Sequence, residues 1–195
     1  MTVASYELPP VAPPPPRSQV FVGTALACLA GSMMVGGMLA IWVLLRERVV
    51  DAGERFPLDY IITEVASNVM LITLFALCLF AQWAVYSAKR GDRAHTALAL
   101  GVVAVLAVAF INGQAFVWYT MEVEVKDEYY GALFYAVTGT MLAIVGAGLV
   151  YTAVAAFRAL GGREREVEIV TAHALYWYFA AAAYTAVWFV VYVTK

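Results

Sequence analysis

The two histidines are the residues of this 195-residue chain with the broadest capacity for chemistry. His95 and His173 both fall near the ends of apolar segments. A membrane haem needs an axial histidine within a helix, and two bis-histidine haems would need more histidines than this chain has. The sequence therefore excludes the two-haem arrangement but leaves open one haem shared between His95 and His173. We favour the commoner interpretation, in which both histidines lie at the inner membrane interface.

Carboxylates form a second group with chemical potential. One short segment is acidic and could hold Ca²⁺ through its carboxylate oxygens, although a solvated turn is the commoner role for such a cluster. Its acids are Glu122, Glu124, Asp127 and Glu128, and Lys126 lies among them. Glu64 is the one acid near the body of an apolar segment, and we expect it in the first helical turn, where water and the helix dipole tolerate a negative charge.

The remaining reactive residue types form no recognisable catalytic set. Cys28 and Cys78 both fall inside apolar runs, so we expect two small buried hydrophobic side chains rather than a disulfide. The sequence has no Ser-His-Asp set, no HExxH and no glycine-rich phosphate loop following a strand. It therefore predicts no catalytic centre, no bound cofactor and no metal site in this chain.

The amino-acid composition indicates whether the chain lies in water or in a membrane. Of all residues 64% are hydrophobic and only 13% are charged, and the mean hydropathy is +0.79. A soluble domain of this size would need more charge to coat its surface. The net charge of −2 does not favour nucleic acid as a partner. The membrane is the predicted environment, and there every backbone N–H and C=O must be paired within helices.

Five apolar segments are long enough to cross about 30 Å of hydrocarbon at about 1.5 Å per residue. They cover residues 19–45, 60–88, 95–121, 131–157 and 169–194. The sequence thus predicts an all-α fold, a polytopic membrane bundle of five transmembrane helices spanning residues 19–195. Residues 1–18 hold six of the seven prolines and predict an extended cytoplasmic arm, which is either a solvated tail or a strap onto a neighbouring subunit. Pro57 and Gly161-Gly162 mark helix ends.

Lysine and arginine counts predict the orientation. With the N-terminus in the cytoplasm, seven of these residues fall on the inner side and five on the outer side. The positive-inside rule therefore favours a cytoplasmic N-terminus and an outer C-terminus. Six aromatic residues would then form an outer belt at the membrane interface: Trp118, Tyr119, Tyr129, Tyr130, Trp188 and Tyr192.

Uncharged polar and small residues predict how the helices pack. Seven polar residues lie deep in the segments and should form hydrogen bonds between helices, each worth about 0.6 kcal/mol. They are Asn68, Thr73, Gln82, Asn112, Gln114, Thr138 and Thr140. Small residues spaced four apart let helix backbones approach closely. The predicted packing and interface residues are therefore Ser32, Gly36, Gln114, Gly139 and Ala143, together with Tyr178.

Three stretches together resemble subunit III of the haem–copper oxidases, in its five-helix bacterial form. The first runs Trp83-Ala-Val-Tyr-Ser-Ala-Lys-Arg-Gly-Asp-Arg93 and is followed by Gly113-Gln114; the family has a Gly-Asp turn and a Gly-Gln pair there. The second is Tyr130-Gly-Ala-Leu-Phe-Tyr-Ala-Val-Thr-Gly139, close to Tyr-Gly-Ser-x-Phe-Tyr-x-x-Thr-Gly. The third is Tyr176-Trp177-Tyr178-Phe179, where the family has Tyr-Trp-His-Phe.

The departures from the family all remove ionisable groups. Ser32 and Val117 stand at or near two acidic positions of the family, and Met141 and Ile144 align with its two histidines. In the last helix His-Phe-x-Asp becomes Tyr178-Phe179-Ala180-Ala181. The resemblance associates those groups with proton uptake and with sustained turnover of the catalytic subunit. The resemblance therefore implies that this chain keeps the helix packing of the family but lacks its proton-uptake groups.

The resemblance implies a non-catalytic structural subunit of a cytochrome c oxidase, or of a supercomplex containing one, in the bacterial inner membrane. The expected partners are the haem–copper catalytic subunit, other membrane subunits and phospholipid. Two alternatives stay open. One is an accessory subunit of another membrane oxidoreductase, of the nitric oxide reductase or monooxygenase type. The other is a free-standing carrier or organiser, although a carrier would normally show charged or broken helices at mid-membrane.

Overall fold

Five long helices make up nearly all of the described chain. The computed structural model describes residues 18–56, 60, 63–126, 130–161 and 166–194, and it contains no strand within those ranges. The helices are α1 Gln19–Asp51, α2 Glu64–Lys89, α3 Arg93–Met121, α4 Tyr130–Leu160 and α5 Glu166–Val187. A π-helical segment, Trp188–Val193, continues α5. Each of the five is long and apolar enough to cross a membrane, which confirms the predicted all-α five-helix membrane bundle.

Helix α1 is longer than the sequence predicts. Its apolar segment was expected to end at Leu45, but the helix continues to Asp51. A helix of 33 residues spans about 50 Å, so its charged last turns extend beyond a hydrocarbon layer of about 30 Å. The predicted stop of α4 is confirmed, since Leu160 is its last residue. Pro57 and all of the proline-rich arm except Ser18 lie outside the described residues.

Four of the helices form a ring and the first packs against its outside. Helix α2 contacts α3 and α5, α3 also contacts α4, and α4 closes the ring against α5. Helix α1 packs mainly on α5 and more weakly on α4. Helices α1, α3 and α5 finish at the same end of the bundle, and α2 and α4 begin there. We call this the distal end. Under the predicted orientation it faces the outside of the cell.

A tight turn fixes the α2–α3 pair as neighbours. Gly91 takes a left-handed conformation with φ of +71°, which glycine adopts without steric penalty. Asp92 then caps α3, and one of its side-chain oxygens accepts the backbone N–H of His95 at 3.1 Å. The Gly-Asp pair of the first motif is therefore a helix stop followed directly by a helix start.

An aromatic cluster ties α1 and α4 together at the distal end. The Tyr130 ring is buried, lies 5.4 Å from the Trp42 ring and stacks on Tyr60 and Phe134 at 5.6 and 5.8 Å. Phe56 contacts both Trp42 and Tyr130 edge-on. Such ring pairs stabilise packing beyond the area that they bury. The second motif thus begins at the centre of this cluster.

Candidate functional site: buried polar groups and helix contacts

A histidine, a threonine and a tryptophan form a buried hydrogen-bonded cluster between α4 and α5. His173 Nε2 lies 2.8 Å from Thr152 Oγ1 and accepts the indole N–H of Trp177 at 2.9 Å. All three side chains are fully buried. His173 is thus buried between two helices, where Thr152 of α4 and Trp177 of its own helix make its burial favourable, and its predicted depth at the inner membrane interface stays a prediction.

The hydrogen bonds determine which form of His173 the cluster accommodates. The indole N–H of Trp177 can only donate, and it lies 2.9 Å from His173 Nε2 and 3.2 Å from Thr152 Oγ1. The shorter contact favours a neutral ring whose Nε2 accepts and whose proton is on Nδ1. Nδ1 is itself buried, without a hydrogen-bond partner among the described residues. Because Nε2 already contacts two protein groups, this arrangement favours a packing role over the ligand role that the sequence left open.

His95 lies elsewhere and has a different partner. It is exposed near the start of α3, and its Nδ1 lies 2.7 Å from Asp92 Oδ2. The backbone N–H of His95 also donates to Asp92, and this hydrogen bond holds the pKa of that carboxyl below its usual value. The predicted position of His95 near a helix end is confirmed, and its place at the inner membrane interface stays a prediction. The two histidines therefore belong to separate clusters.

Several of the predicted polar contacts join neighbouring helices. Tyr178 donates to Gln82 Oε1 at 2.7 Å, linking α5 to α2, although the Tyr178 side chain is partly exposed. Trp118 donates to Thr138 between α3 and α4, and the Thr140 hydroxyl contacts a methionine sulfur of α1. At the distal end Trp188 donates to an asparagine of α2. Hydrogen bonding between helices, predicted for these residues, is confirmed here.

Two of the seven polar residues bond instead to their own helices. Thr73 donates to the carbonyl of Val69 and Asn112 to that of Val108, each one turn earlier. A short polar side chain in a helix can reach the carbonyl one turn earlier, and this hydrogen bond needs no neighbouring helix. The expectation of contacts between helices is therefore wrong for Thr73 and Asn112.

Gln114 and two tyrosines are buried near the distal end. Gln114 is fully buried, as predicted, and so are Tyr130 and Tyr192. None of the three polar groups has a hydrogen-bond partner among the described residues. The sequence assigned both tyrosines to an outer aromatic belt, and this is wrong. Tyr119 does lie exposed as such a belt requires, and Tyr129 is outside the described residues.

The small residues predicted to pack lie on open faces of this chain. Ser32 and Gly36 are exposed on α1 and line an open groove of about 480 Å³ between α1 and α5. Ala143 is exposed on α4, and a Cβ added at Gly139 would meet nothing within 4 Å. Gly36 and Gly139 therefore make no close helix contact among the described residues. The role of all four residues at an interface with another subunit stays a prediction.

Close contacts occur at other glycines, of which Gly113 and Gly131 belong to the motifs and Gly31 and Gly148 do not. A Cβ at Gly148 would lie 2.8 Å from the Trp177 ring, and one at Gly31 would lie 2.6 Å from the Phe179 ring. A Cβ at Gly131 would overlap the carbonyl of Glu124. A Cβ at Gly113 would lie 2.8 Å from the Met70 side chain. Large side chains of neighbouring helices are thus the partners of Gly31, Gly113 and Gly148.

The other reactive groups show no assembly into a site. Both cysteines are free thiols, as predicted, with Cys28 buried and Cys78 partly buried. No three histidine, cysteine or acidic side chains are grouped to hold a metal ion in the described ranges. Half of the acidic cluster, Asp127 and Glu128, lies outside those ranges. Comparison with protein-family models finds no match, and no curated protein matches the chain significantly.

Proposed function

We propose that this chain is a non-catalytic structural subunit of a respiratory haem–copper oxidase, or of a larger assembly containing one, in the bacterial inner membrane. The N-terminus would lie in the cytoplasm. The observation that carries the proposal is that residues of all three motifs form turns and packing contacts within the bundle. They form the Gly91–Asp92 turn, the Tyr130 aromatic cluster and the contacts of Trp177 with His173.

A structural subunit must also present a surface to its partner, and α1 is suited to this. It packs mainly on α5 and contributes few residues to the core, so most of its length faces outward. Gly36 and Gly37 make part of that face thin, because a Cβ at either would meet nothing within 4 Å. Thin helix faces allow close approach of another transmembrane helix. In the proposal, the catalytic subunit packs on this face and phospholipid fills the α1–α5 groove.

Gentle detergent extraction of the tagged chain, followed by mass spectrometry of its partners, tests the proposal. Haem–copper catalytic subunits should co-purify. Recovery of a nitric oxide reductase or a monooxygenase would instead favour the second oxidoreductase alternative. Recovery of the chain alone, from membranes that contain an assembled oxidase, would contradict a subunit role.

A matched pair of variants locates the contact. Gly37→Leu enlarges the open face of α1 away from the α1–α5 groove, whereas Gly101→Leu enlarges an exposed face of α3 that is equally free of neighbours. Neither should alter the fold of the chain, since both side chains project into open space. We expect Gly37→Leu to reduce recovery of the partner and Gly101→Leu to leave it unchanged. Equal recovery in both variants would remove α1 as the docking helix.

A further inference from the structure

A polar crevice opens at the distal end between α2 and the end of α5. It has a volume of about 410 Å³ and is lined by Glu64, Ser67, Asn68, Trp188, Tyr192 and Val193. The Trp188 indole N–H donates to Asn68 Oδ1 at 2.8 Å within this lining. A water molecule in the liquid occupies about 30 Å³, so the crevice is large enough for several.

Three buried polar side chains, Gln114, Tyr130 and Tyr192, lie toward the same end of the bundle as the crevice. Tyr192 belongs to both features, since it lines the crevice although its side chain is almost wholly buried. Its hydroxyl is close enough to the Gln114 amide to interact with it, but the two do not meet hydrogen-bond geometry. Tyr130 also lies within electrostatic reach of Tyr192. The three side chains come from α3, α4 and the π-helical segment.

Polar groups left unpaired in an apolar interior are costly, and an amide is costlier than one hydroxyl because it has both donors and acceptors to satisfy. Polar groups that lie near one another without a direct hydrogen bond of good geometry can be bridged by water. A buried water molecule needs two to four polar partners, and the amide and two phenols supply that number. The π-helical turn at Tyr192 is itself a geometry that often occurs beside functional sites.

We propose that the polar crevice admits water into the bundle and that the water occupies a site bounded by Gln114, Tyr130 and Tyr192. The ligand is water itself, held by one amide and two phenol groups. Gln114 lies seven residues before the end of α3, about 10 Å along the helix axis. The bundle would therefore be hydrated to this depth at its distal end, while the outer faces of the same helices contact lipid. This goes beyond a structural role, which requires no internal water.

Cysteine reactivity distinguishes a hydrated site from a dry one. The thiolate is the reactive form of cysteine, and it does not form in an apolar environment. Single cysteines are introduced into the full chain after replacing Cys28 and Cys78 with alanine. Unsealed membranes are then treated with a small charged methanethiosulfonate reagent, so that both membrane faces are reached.

Two pairs of positions are compared. Ser67→Cys faces the crevice, whereas Val69→Cys lies two residues along α2 and lines a separate, mostly apolar groove of about 850 Å³ between α2 and α3. Gln114→Cys lies at the proposed site, whereas Phe116→Cys is exposed in that same groove and nearer to the end of α3. We expect the first member of each pair to react about tenfold faster or more, because only its thiol contacts water. The buried cysteine would thus react faster than the shallower exposed one.

Phe110→Cys controls for space created by substitution. Phe110 is fully buried one turn deeper on α3, and its ring contacts Tyr184. This variant opens a larger cavity than Gln114→Cys, in apolar surroundings, and should not react. Equal reaction of Phe110→Cys and Gln114→Cys would overturn the proposal, as would equal rates within both pairs. If Gln114→Cys does not fold, the comparison of Ser67→Cys with Val69→Cys decides whether the crevice is hydrated.

Discussion

The imidazole of His173 accepts the indole N–H of Trp177, which lies one turn further along the same helix, at 2.9 Å. Replacing His173 with alanine removes this acceptor and leaves a cavity between α4 and α5. We expect the variant to lose about 3 kcal/mol of stability, as for other large buried side chains cut back to alanine. Thermal unfolding of the purified protein in detergent measures the loss. His95→Ala is the control, because that exposed side chain fills no cavity, and equal losses would refute the assignment.

The close contact between Gly148 and Trp177 predicts a second effect. A methyl group at Gly148 would lie 2.8 Å from the Trp177 ring and 2.9 Å from the Tyr176 ring, so Gly148→Ala should destabilise the chain by about 1–3 kcal/mol. Gly139→Ala on the same helix meets open space and should be nearly neutral. Melting temperatures of the two variants are compared under one set of conditions. A larger loss for Gly139→Ala would contradict this packing.

Asp92 predicts a dependence of stability on pH. Its carboxyl has a lowered pKa, chiefly because it accepts the backbone N–H of His95, so ionisation is favoured more in the folded chain than in the unfolded one. Its contribution is therefore complete above the unfolded pKa of about 3.9 and is lost as the pH falls through the folded pKa. Asp92→Ala should melt below the unchanged protein at neutral pH, and this difference should shrink in acid. A difference that stays constant with pH would contradict the ionic part of the cap.

The orientation of the chain can be tested by labelling its two ends. Five spans place Ser18 and Thr194 on opposite sides of the membrane, with Ser18 in the cytoplasm according to the positive-inside rule. Cysteines at these positions, in a background without Cys28 and Cys78, should react with an impermeant reagent from opposite faces. Labelling of Ser18→Cys from the periplasm would reverse the orientation. Labelling of both from one face would contradict five spans.

Deletion of the chain should weaken its proposed host complex without altering the haem chemistry. The proposed subunit acts by burying helix surface, so the haem spectra of the catalytic subunit should persist while recovery of the intact complex falls. Ser32→Ala and Val117→Ala should leave oxygen reduction and the proton-pumping ratio unchanged, since neither residue can carry a proton. A reduced pumping ratio in a fully assembled complex lacking the chain would indicate a role in proton supply. Unaltered assembly and respiration would point to another host.

The helices could be predicted from the sequence because only a helix of about 20 apolar residues satisfies its own backbone across hydrocarbon. Which face of each helix is buried in the bundle could not be predicted. In a membrane bundle the lipid side and the core side are both apolar, so hydrophobicity alone does not distinguish them. Tyr130 and Tyr192 were therefore assigned to the surface although they are buried, and nothing in the sequence indicated the close contact of Gly148 with Trp177.

Gln114 and the Gly91–Asp92 turn could be predicted because polarity and backbone geometry act locally. An amide that faces hydrocarbon without a partner is costly, so the burial of Gln114 followed from residue type alone. The hydrogen bond to a neighbouring helix that was predicted with it is not made among the described residues. A glycine followed by aspartate stops one helix and caps the next without reference to the rest of the fold. The cluster around His173 was missed because it requires Thr152 and Trp177 to meet across two helices, and nothing in their spacing along the chain indicates that.

The position of α1 constrains the order in which the protein can be built. The ribosome delivers α1 to the membrane first, yet α1 packs mainly on α5, which is delivered last. Helices α2 and α3 can pair as soon as both have been inserted, because only a short turn joins them. Helix α1 must therefore remain in the bilayer through most of translation with its side chains against lipid. During that interval its whole surface is open, so another protein could bind it before the bundle closes.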